Sequence, residues 1–183
     1  MLLVLGRTGA RVSEAIGVNA VDLHLQRPWQ VLLRGKGGVE RILPLDENTA
    51  TVLKSLIDER GISNDSKAPL FVNARGQRLT RKGVTYILKQ VVAIASKTNP
   101  LLAAKGISPH TLRHTVAMHM LQSGVDPATI QSWLGHASIN TTHQYIEADL
   151  EMKIRALEKC DNPAASPALY QPTDEVLAML EEL

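Results

Sequence analysis

The stretch Ser108–Ala117 reads SPHTLRHTVA and has the pattern of a helix start. Its proline suits the first helical position, because the amide hydrogen that proline lacks would have no partner there. Gly124 can end the helix, since glycine readily adopts the left-handed conformation that closes helices. The sequence therefore predicts a helix from Pro109 to about Ser123.

The polar side chains of this helix suggest a binding site. His110 and Arg113 are three residues apart, so they lie on one helix face and can point at one ligand. His110 and His114 have the spacing of a helical metal pair, but position 111 is Thr instead of the Glu of a zinc-protease motif. With no third ligand evident in the sequence, a site without a metal is favoured.

The chain as a whole is predicted to be mainly α-helical with a small antiparallel β-sheet, an α+β fold. Two apolar, β-favouring stretches flank a glycine-rich turn, which predicts a β-hairpin with Lys36 at its tip. Ser13, Asp46, Thr80 and Thr173 are predicted to cap helices, and Asp126-Pro127 to open one. The predicted elements are the end of a helix at Met1–Leu5, a short helix through Val18 after Ser13, strands within Trp29–Leu33 and Val39–Leu45, and helices at Asp46–Arg60, Thr80–Ala95, Pro109–Ser123, Asp126–Gly135, Ile139–Lys159 and Thr173–Leu183. The first helix lacks a beginning, which is typical of a fragment or of a domain cut from a longer protein.

The composition is that of one globular domain with a tail. Hydrophobic residues make up 44% of the 183 residues and aromatic residues only 3%, so an aliphatic core is expected. A single cysteine, Cys160, excludes an internal disulfide and a cysteine-based zinc site. No apolar run approaches the roughly 20 residues needed to cross a bilayer, and the start does not resemble a signal peptide, so a cytoplasmic location is expected.

The charges are unevenly distributed along the chain. Residues 1–146 carry 17 Lys and Arg against 9 Asp and Glu, whereas residues 147–183 carry 3 against 9. A basic body with an acidic tail suggests a polyanion as partner. A solvated surface with a solubilising tail explains the same charges equally well.

Three more polar clusters are each weak on their own. Arg11 and Glu14 are three residues apart and fit an ion pair on a helix surface. Lys36 lies among glycines, but the spacing of a phosphate-binding loop is absent, so a solvated lysine is the simpler interpretation. His136 follows the predicted end of a helix, and Tyr145 fits a core position as well as a functional one.

Taken together and in this order, the clusters resemble the catalytic domain of the tyrosine recombinases, the phage-integrase and XerC/XerD-like family. The matching stretches are Thr8–Glu14 (TGARVSE), Gly35–Pro44 (GKGGVERILP), Ser108–Ala117 (SPHTLRHTVA) and Ile130–Tyr145 (IQSWLGHASINTTHQY). They frame nearly the whole of residues 1–150. The resemblance implies a site-specific recombinase or integrase that breaks and rejoins double-stranded DNA.

The resemblance also implies the site residues. The catalytic set is Arg11, Lys36, His110, Arg113, His136 and Tyr145, with Glu14 and His114 in support. Two arginines can hold the non-bridging oxygens of a phosphodiester and stabilise the charge that develops there. The Tyr145 hydroxyl needs a base or a positive field before it can attack, and His110 is implied as that base. His136 would donate to a phosphate oxygen, and Lys36 would protonate the departing 5′-oxygen.

The product that the resemblance implies for this attack is a covalent 3′-phosphotyrosine. It keeps the energy of the broken bond, so neither ATP nor another cofactor is expected. A metal is not expected either, since arginines supply the positive charge. The expected partner is double-stranded DNA, with no membrane and no small-molecule substrate.

A basic segment around the Thr80–Ala95 helix is expected to contact DNA. The basic patch comprises Arg75, Arg78, Arg81, Lys82 and Lys89, and the expected DNA contacts are Arg81, Lys82, Tyr86 and Lys89. Side chains of this kind bind backbone phosphates when a helix lies against DNA. The alternative is a solvated helix face. Tyr86 and Tyr170 are rivals to Tyr145 as nucleophile, but Tyr86 fits a DNA contact better and Tyr170 has no basic neighbours.

The domain organisation follows from the resemblance. It predicts a catalytic domain at residues 1–160, a linker at 161–172 and a C-terminal helix at 173–183. The N-terminal helical domain that closes a clamp on DNA in this family is expected to be absent from the chain. Family members act as tetramers, so a homo-tetramer on DNA is expected, with the C-terminal helix docked on a neighbouring subunit or on its own domain.

Two other functions remain open at the level of the sequence. A type IB topoisomerase resembles this family in its active site, and it would relax supercoiled DNA without a specific site. A DNA-binding fragment without catalytic activity would bind DNA and form no covalent adduct.

Overall fold

The computed structural model describes residues 1–135 of the chain. Its helices are α1 (Leu2–Thr8), α2 (Val12–Gly17), α3 (Glu47–Glu59), α4 (Arg81–Ala95), α5 (Pro109–Gln122) and α6 (Pro127–Leu134), and its strands are β1 (Leu23–His24), β2 (Gln30–Arg34) and β3 (Glu40–Pro44). This mainly helical fold with a small antiparallel sheet confirms the predicted fold class. The predicted helix Ile139–Lys159, the linker 161–172 and the helix Thr173–Leu183 lie outside the described residues.

Side-chain caps fix where the longer helices begin. The capping residues are Asp46 for α3, Thr80 for α4, Ser108 for α5 and Asp126 for α6, and each side chain accepts the backbone N–H three residues further on. Each cap satisfies an amide that has no partner inside the helix. The predicted starts of these four helices are confirmed.

The start of α2 differs from the prediction. Ser13 does not cap this helix, because α2 begins at Val12 and Arg11 takes the capping position. The backbone N–H of Arg11 donates to Glu14 Oε2 at 2.7 Å. The Glu14 carboxylate therefore closes the first turn from inside the helix, and Ser13 is left within that turn.

The sheet has the strand order β1-β2-β3 and is antiparallel throughout. The β2–β3 hairpin, with Leu32 opposite Ile42 and Lys36 in the connecting turn, confirms the predicted hairpin. Strand β1 was not predicted, since it contributes only two residues. Alternation along β3 turns Leu43 and Arg41 toward the interior, and Leu43 packs there beside Val31 of β2.

The core is aliphatic, as the composition predicts. Its buried side chains come from every layer of the domain, among them Leu5 of α1, Ala15 of α2, Val31 and Leu33 of β2, Leu53 of α3 and Val84 of α4. The loop between α3 and α4 adds Leu70 and Phe71. The sheet is thus held against helices on its inner face by apolar burial.

The apolar residues of α4 at positions 84, 87, 88 and 91 have the spacing of one helix face, and this face is only partly buried. Val84 and Leu88 are buried, whereas Ile87 and Val91 remain substantially exposed. Two inward positions are enough to seat the helix, and the remaining faces of α4 meet solvent. None of the helices within residues 1–135 is long and apolar enough to cross a membrane.

The turn between α1 and α2 packs tightly against α6. Gly9 adopts a left-handed conformation there, with φ of 63°. A Cβ atom on Gly9 would lie 2.6 Å from Leu134 Cδ2, so only glycine fits without movement. The indole N–H of Trp133 also donates to the Thr8 carbonyl at 3.1 Å. These contacts bring the turn that precedes Arg11 to the end of α6.

Candidate active site

Arg11 is anchored at one end of its guanidinium and open to solvent at the other. Its Nη1 donates to Glu14 Oε1 at 3.0 Å and to the Gly135 carbonyl at 3.1 Å. The side chain is still 43% exposed. The hydrogen bonds set its direction, and the exposed part remains accessible to an anion.

Glu14 is the buried carboxylate that holds Arg11. Its side chain is 1% exposed, and its two oxygens together accept four hydrogen bonds, from the backbone and side chain of Arg11 and from Arg41. Burial alone would raise the pKa of Glu14, but the hydrogen bonds and charge of Arg41 and the hydrogen bonds of Arg11 outweigh it and hold the pKa below the usual value of a glutamate. Glu14 is therefore ionised at neutral pH.

Arg41 also belongs to this cluster, although it was not predicted from the sequence. It donates from Nη1 and Nη2 to the two oxygens of Glu14, at 3.0 and 2.8 Å, and from Nε to the Trp133 carbonyl at 2.9 Å. A signal for it was present, because alternation along β3 places Arg41 on the same side as Leu43. A charged residue on the core side of a strand requires a buried partner.

Arg113 is buried between the α1–α2 turn and α6. Its Nη1 donates to the Gly9 carbonyl at 2.7 Å and its Nη2 to the Leu134 carbonyl at 2.8 Å. The residue is 4% exposed. Its position at the fifth residue of α5 directs the long side chain from that helix into the junction.

Three arginines meet at the C-terminal end of α6. The consecutive carbonyls of Trp133, Leu134 and Gly135 accept from Arg41, Arg113 and Arg11 respectively. The C-terminal end of a helix carries partial negative charge and unsatisfied carbonyls, which cations stabilise. The structure thus brings the two predicted arginines, which are 102 positions apart in the sequence, to adjacent peptide groups.

His110 joins this cluster through an open cleft of about 370 Å³. Arg11, Arg81 of α4 and His110 of α5 line the cleft together, with Thr85 and Ser108. Among the described residues that line it, none is acidic. The cleft therefore offers a cationic, hydrogen-bonding surface suited to a phosphate group.

Lys36 and His114 lie apart from the cleft lining. Lys36 is exposed in the β2–β3 turn, and its side chain makes no hydrogen bond or ion pair within residues 1–135. His114 is exposed one turn beyond His110 on α5. The described structure therefore brings together Arg11, Glu14, His110 and Arg113 and leaves Lys36 on a separate turn.

The expected DNA contacts on α4 are exposed. Lys82, Tyr86 and Lys89 are spaced by four and three residues and share one helix face, on which Tyr86 is 64% exposed. Arg78, which the sequence groups with this basic patch, instead donates to the Ile16 carbonyl at 2.7 Å and to Asn19 Oδ1 at 2.6 Å. Arg78 therefore ties the chain before α4 to the end of α2.

The remaining predicted site residues, His136 and Tyr145, lie outside the described residues. His136 directly follows Gly135 in the chain. Within residues 1–135, no three His, Cys, Asp or Glu side chains are grouped so as to hold a metal ion.

Comparison with protein families identifies the class of protein. Residues 1–152 match the model of the phage integrase family. The chain therefore belongs to the phage integrase family, as the four matching stretches imply.

Individual relatives agree with this assignment. The chain is 41% identical over 182 residues to a putative integrase/recombinase, y4rC, of Sinorhizobium fredii, a match that covers 100% of this chain and 54% of the relative. It is 38% identical over 167 residues to a tyrosine recombinase XerC of Pelobacter propionicus, which covers 91% of this chain and 53% of that protein. The chain thus spans about half the length of the curated relatives it matches.

Solved structures share the fold. The crystal structure of XerA recombinase superimposes with a TM-score of 0.71 at 29% identity, over 86% of this chain and 56% of that chain. XerH site-specific recombinase bound to its difH substrate in a pre-cleavage complex gives a TM-score of 0.71 at 26% identity, over 90% of this chain and 46% of that chain. The chain therefore shares its fold with solved recombinases.

Proposed function

We propose that this chain carries the catalytic apparatus of a site-specific DNA recombinase that cleaves and rejoins strands through a 3′-phosphotyrosine at Tyr145. The observation that carries the proposal is the meeting of Arg11 and Arg113 at the end of α6, beside the cleft that His110 lines. Membership of the phage integrase family supports it. So do relatives described as recombinases, including one solved with its DNA substrate.

The two arginines stabilise the phosphate. Arg11 presents its exposed donors to a non-bridging oxygen, while the hydrogen bonds to Glu14 and Gly135 hold its direction. Arg113 adds a second fixed positive charge at the same junction. Preorganised charge of this kind favours the pentacoordinate transition state over the ground state, because the phosphate gains negative charge on the way.

Proton transfers accompany the substitution at phosphorus. The Tyr145 oxygen forms the new bond to phosphorus and gives its proton to His110. The bond from phosphorus to the 5′-oxygen breaks, and this oxygen takes a proton from Lys36. His136 donates a hydrogen bond to a phosphate oxygen. Rejoining is the reverse reaction with a 5′-hydroxyl as the attacking group.

The exposed basic face of α4 binds the DNA backbone beside the site. Arg81 lines the cleft itself, and Lys82, Tyr86 and Lys89 extend the contact along the helix. Double-stranded DNA is thus the partner, and the protein acts on DNA in the cytoplasm.

Assembly into a homo-tetramer pairs two DNA sites, and the acidic helix 173–183 docks on a neighbouring subunit. Deletion of residues 171–183 is expected to reduce both the oligomer size on DNA, measured by light scattering, and adduct formation. If both stay unchanged, the helix has neither role.

The nucleophile is tested by trapping. The full chain is incubated with a library of nicked duplexes, in which loss of a short cleaved fragment prevents rejoining, and covalent adducts are resolved on denaturing gels. Tyr145→Phe is expected to abolish the adducts while DNA binding is retained, whereas Tyr86→Phe and Tyr170→Phe continue to form them. Adducts with Tyr145→Phe would contradict the assignment.

The same protein sample distinguishes a recombinase from the two alternative functions, a type IB topoisomerase and a DNA-binding fragment. Relaxation of supercoiled plasmid DNA that lacks a specific site would indicate a topoisomerase. DNA binding by the wild-type chain with no adduct on any duplex of the library would indicate a DNA-binding fragment.

A further inference from the structure

Arg41 is the residue that joins the hairpin to the rest of the site. Its side chain is 11% exposed and lies on the inner side of β3. From this position one guanidinium bridges two elements, since it holds both oxygens of Glu14 in α2 and the carbonyl of Trp133 in α6. Within residues 1–135, no other arginine side chain donates to both oxygens of Glu14 and also to a carbonyl of α6.

The Glu14 carboxylate transmits this hold to Arg11. Each Glu14 oxygen accepts one bond from Arg41 and one from Arg11. The fork of Arg41 fixes the plane of the carboxylate, because two parallel N–H groups match its two oxygens. The plane of the carboxylate then sets the direction in which Arg11 Nη1 points.

The same side chain is fitted to the turn at the end of α6. Gly135 has a φ of 64°, and a Cβ atom there would lie 2.7 Å from Arg41 Nη1. The guanidinium therefore packs directly on the glycine that precedes His136. Arg41 thus links the β2–β3 hairpin, the start of α2 and the end of α6 through hydrogen bonds.

We propose that Arg41 is a positioning residue for strand cleavage: it orients Arg11 through Glu14 and fixes the end of α6 from which His136 follows. This inference rests on the proposed function. Arg41 does not touch the phosphate in this scheme, since all three of its guanidinium nitrogens donate to Glu14 or Trp133. Its loss acts on the cleavage step and leaves the DNA-binding face of α4 intact.

The primary test compares binding and cleavage in the full chain. Arg41→Met is expected to slow adduct formation on nicked duplexes on the order of 100-fold, the loss that a displacement of roughly 1 Å in an active site causes. The Kd for duplex DNA is expected to stay within about threefold, because the phosphate contacts on α4 are unchanged. Arg41→Lys is expected to recover only a small part of the rate, since an ammonium group cannot hold both carboxylate oxygens and a carbonyl.

Arg34 provides the matched control. It lies on the neighbouring strand β2 and pairs with a buried carboxylate, Asp22, at 2.6 Å, but it contacts neither Glu14 nor α6. Arg34→Met is expected to lower Tm as Arg41→Met does and to keep the cleavage rate within about threefold. A cleavage rate for Arg41→Met near that of the wild type, or an equal fall in Arg34→Met, would overturn the proposal.

A double variant separates positioning from charge compensation. Arg41→Met leaves Glu14 buried without its main partner, and Glu14→Gln in the same chain removes that buried charge. The double variant is expected to have a higher Tm than Arg41→Met alone, while its cleavage of DNA stays slow. Recovery of both would mean that Arg41 only neutralises Glu14, which would contradict a positioning role.

Hydrogen exchange decides the inference independently of activity. If the wild-type chain forms no adduct, the proposed function fails. Amide hydrogen exchange across residues 127–135 still measures how firmly Arg41 holds the end of α6. Arg41→Met is expected to speed exchange there, and Arg34→Met is not. Unchanged exchange in Arg41→Met would overturn the inference on its own.

Discussion

Glu14 shows how one buried carboxylate organises the site. An isolated charge in the core would be costly, but two arginines and a backbone amide satisfy both of its oxygens. The cost of burial is offset only while this set of bonds is complete. Glu14 directs Arg11, and the stability of the fold therefore also depends on the ionisation of the Glu14 carboxylate.

The stability contributed by Glu14 is expected to depend on pH. Its folded-state pKa lies below its unfolded-state value, so this contribution is present above the unfolded-state value and is lost as the pH falls through the folded-state value. At neutral pH, Glu14→Gln should lower the free energy of unfolding by about 3 kcal/mol. The difference from wild type should shrink as the pH falls below the unfolded-state value. Urea unfolding from about pH 7 to about pH 3 measures it.

The control for this measurement is Glu59→Gln, which changes an exposed carboxylate at the end of α3. It should have little effect at neutral pH. A difference between wild type and Glu14→Gln that stays constant across the series would contradict the ionised, hydrogen-bonded carboxylate.

At the scale of the elements, the site depends on the contact between the α1–α2 turn and α6. Gly9 lets the turn approach Leu134, and the Gly9 carbonyl accepts from Arg113. Arg11 and Trp133 tie the same two elements together on either side. Packing and hydrogen bonds thus act on one junction, so displacing it should disturb both arginines.

Gly9→Ala tests this junction against Gly61→Ala. Both glycines have positive φ, 63° and 59°, but a Cβ at Gly9 meets Leu134 at 2.6 Å whereas one at Gly61 meets nothing within 4 Å. Gly61→Ala should cost about 1 kcal/mol for the backbone conformation. Gly9→Ala should cost about 3 kcal/mol, because overpacking is added. Equal losses in urea unfolding would contradict the tight contact.

Much of the element structure could be predicted from the sequence. The caps Asp46, Thr80 and Asp126 and the proline at the start of α5 gave the helix starts, because these signals act within one helical turn. Strand β1 escaped prediction because two residues leave no periodic pattern. Ser13 was wrong as a cap because the Glu14 side chain, held by Arg41 from a distant strand, closes that turn instead.

The site itself was only partly predictable. The residues Arg11, Glu14, His110 and Arg113 follow from the family resemblance, and the described structure brings them together. Arg41 was missed because its role depends on a long-range contact with Glu14, and only the alternation of β3 pointed to it. The catalytic roles of all these residues, and of Lys36, His136 and Tyr145, stay predictions.

At the scale of the whole molecule, the basic face of α4 lies beside the cleft and defines the side on which DNA is expected to lie. Arg81 belongs to both, because it lines the cleft and begins the helix that carries Lys82 and Lys89. Binding that rests on such contacts releases counterions from DNA and weakens as salt rises.

Lys82→Ala with Lys89→Ala is therefore expected to reduce the salt dependence of DNA binding. Each phosphate contact contributes roughly 0.9 to the slope of log affinity against log salt, so the slope should fall by roughly 1.8. Lys54→Ala with Lys67→Ala removes the same charge from exposed positions away from the cleft and should leave the slope nearly unchanged. Equal slopes for the two double variants, from fluorescence anisotropy titrations, would contradict this DNA-binding face.

In the proposed reaction, Tyr145 becomes covalently attached to DNA at a phosphate held by Arg11 and Arg113. The most direct measurement is mass spectrometry of trapped protein–DNA adducts after digestion with nuclease and protease. We expect a nucleotide linked through its 3′-phosphate to the peptide that contains Tyr145, and a strongly reduced yield of that peptide in Arg11→Ala and Arg113→Ala. A nucleotide on Tyr86 or Tyr170, a 5′-linkage, or full yield without the two arginines would contradict it.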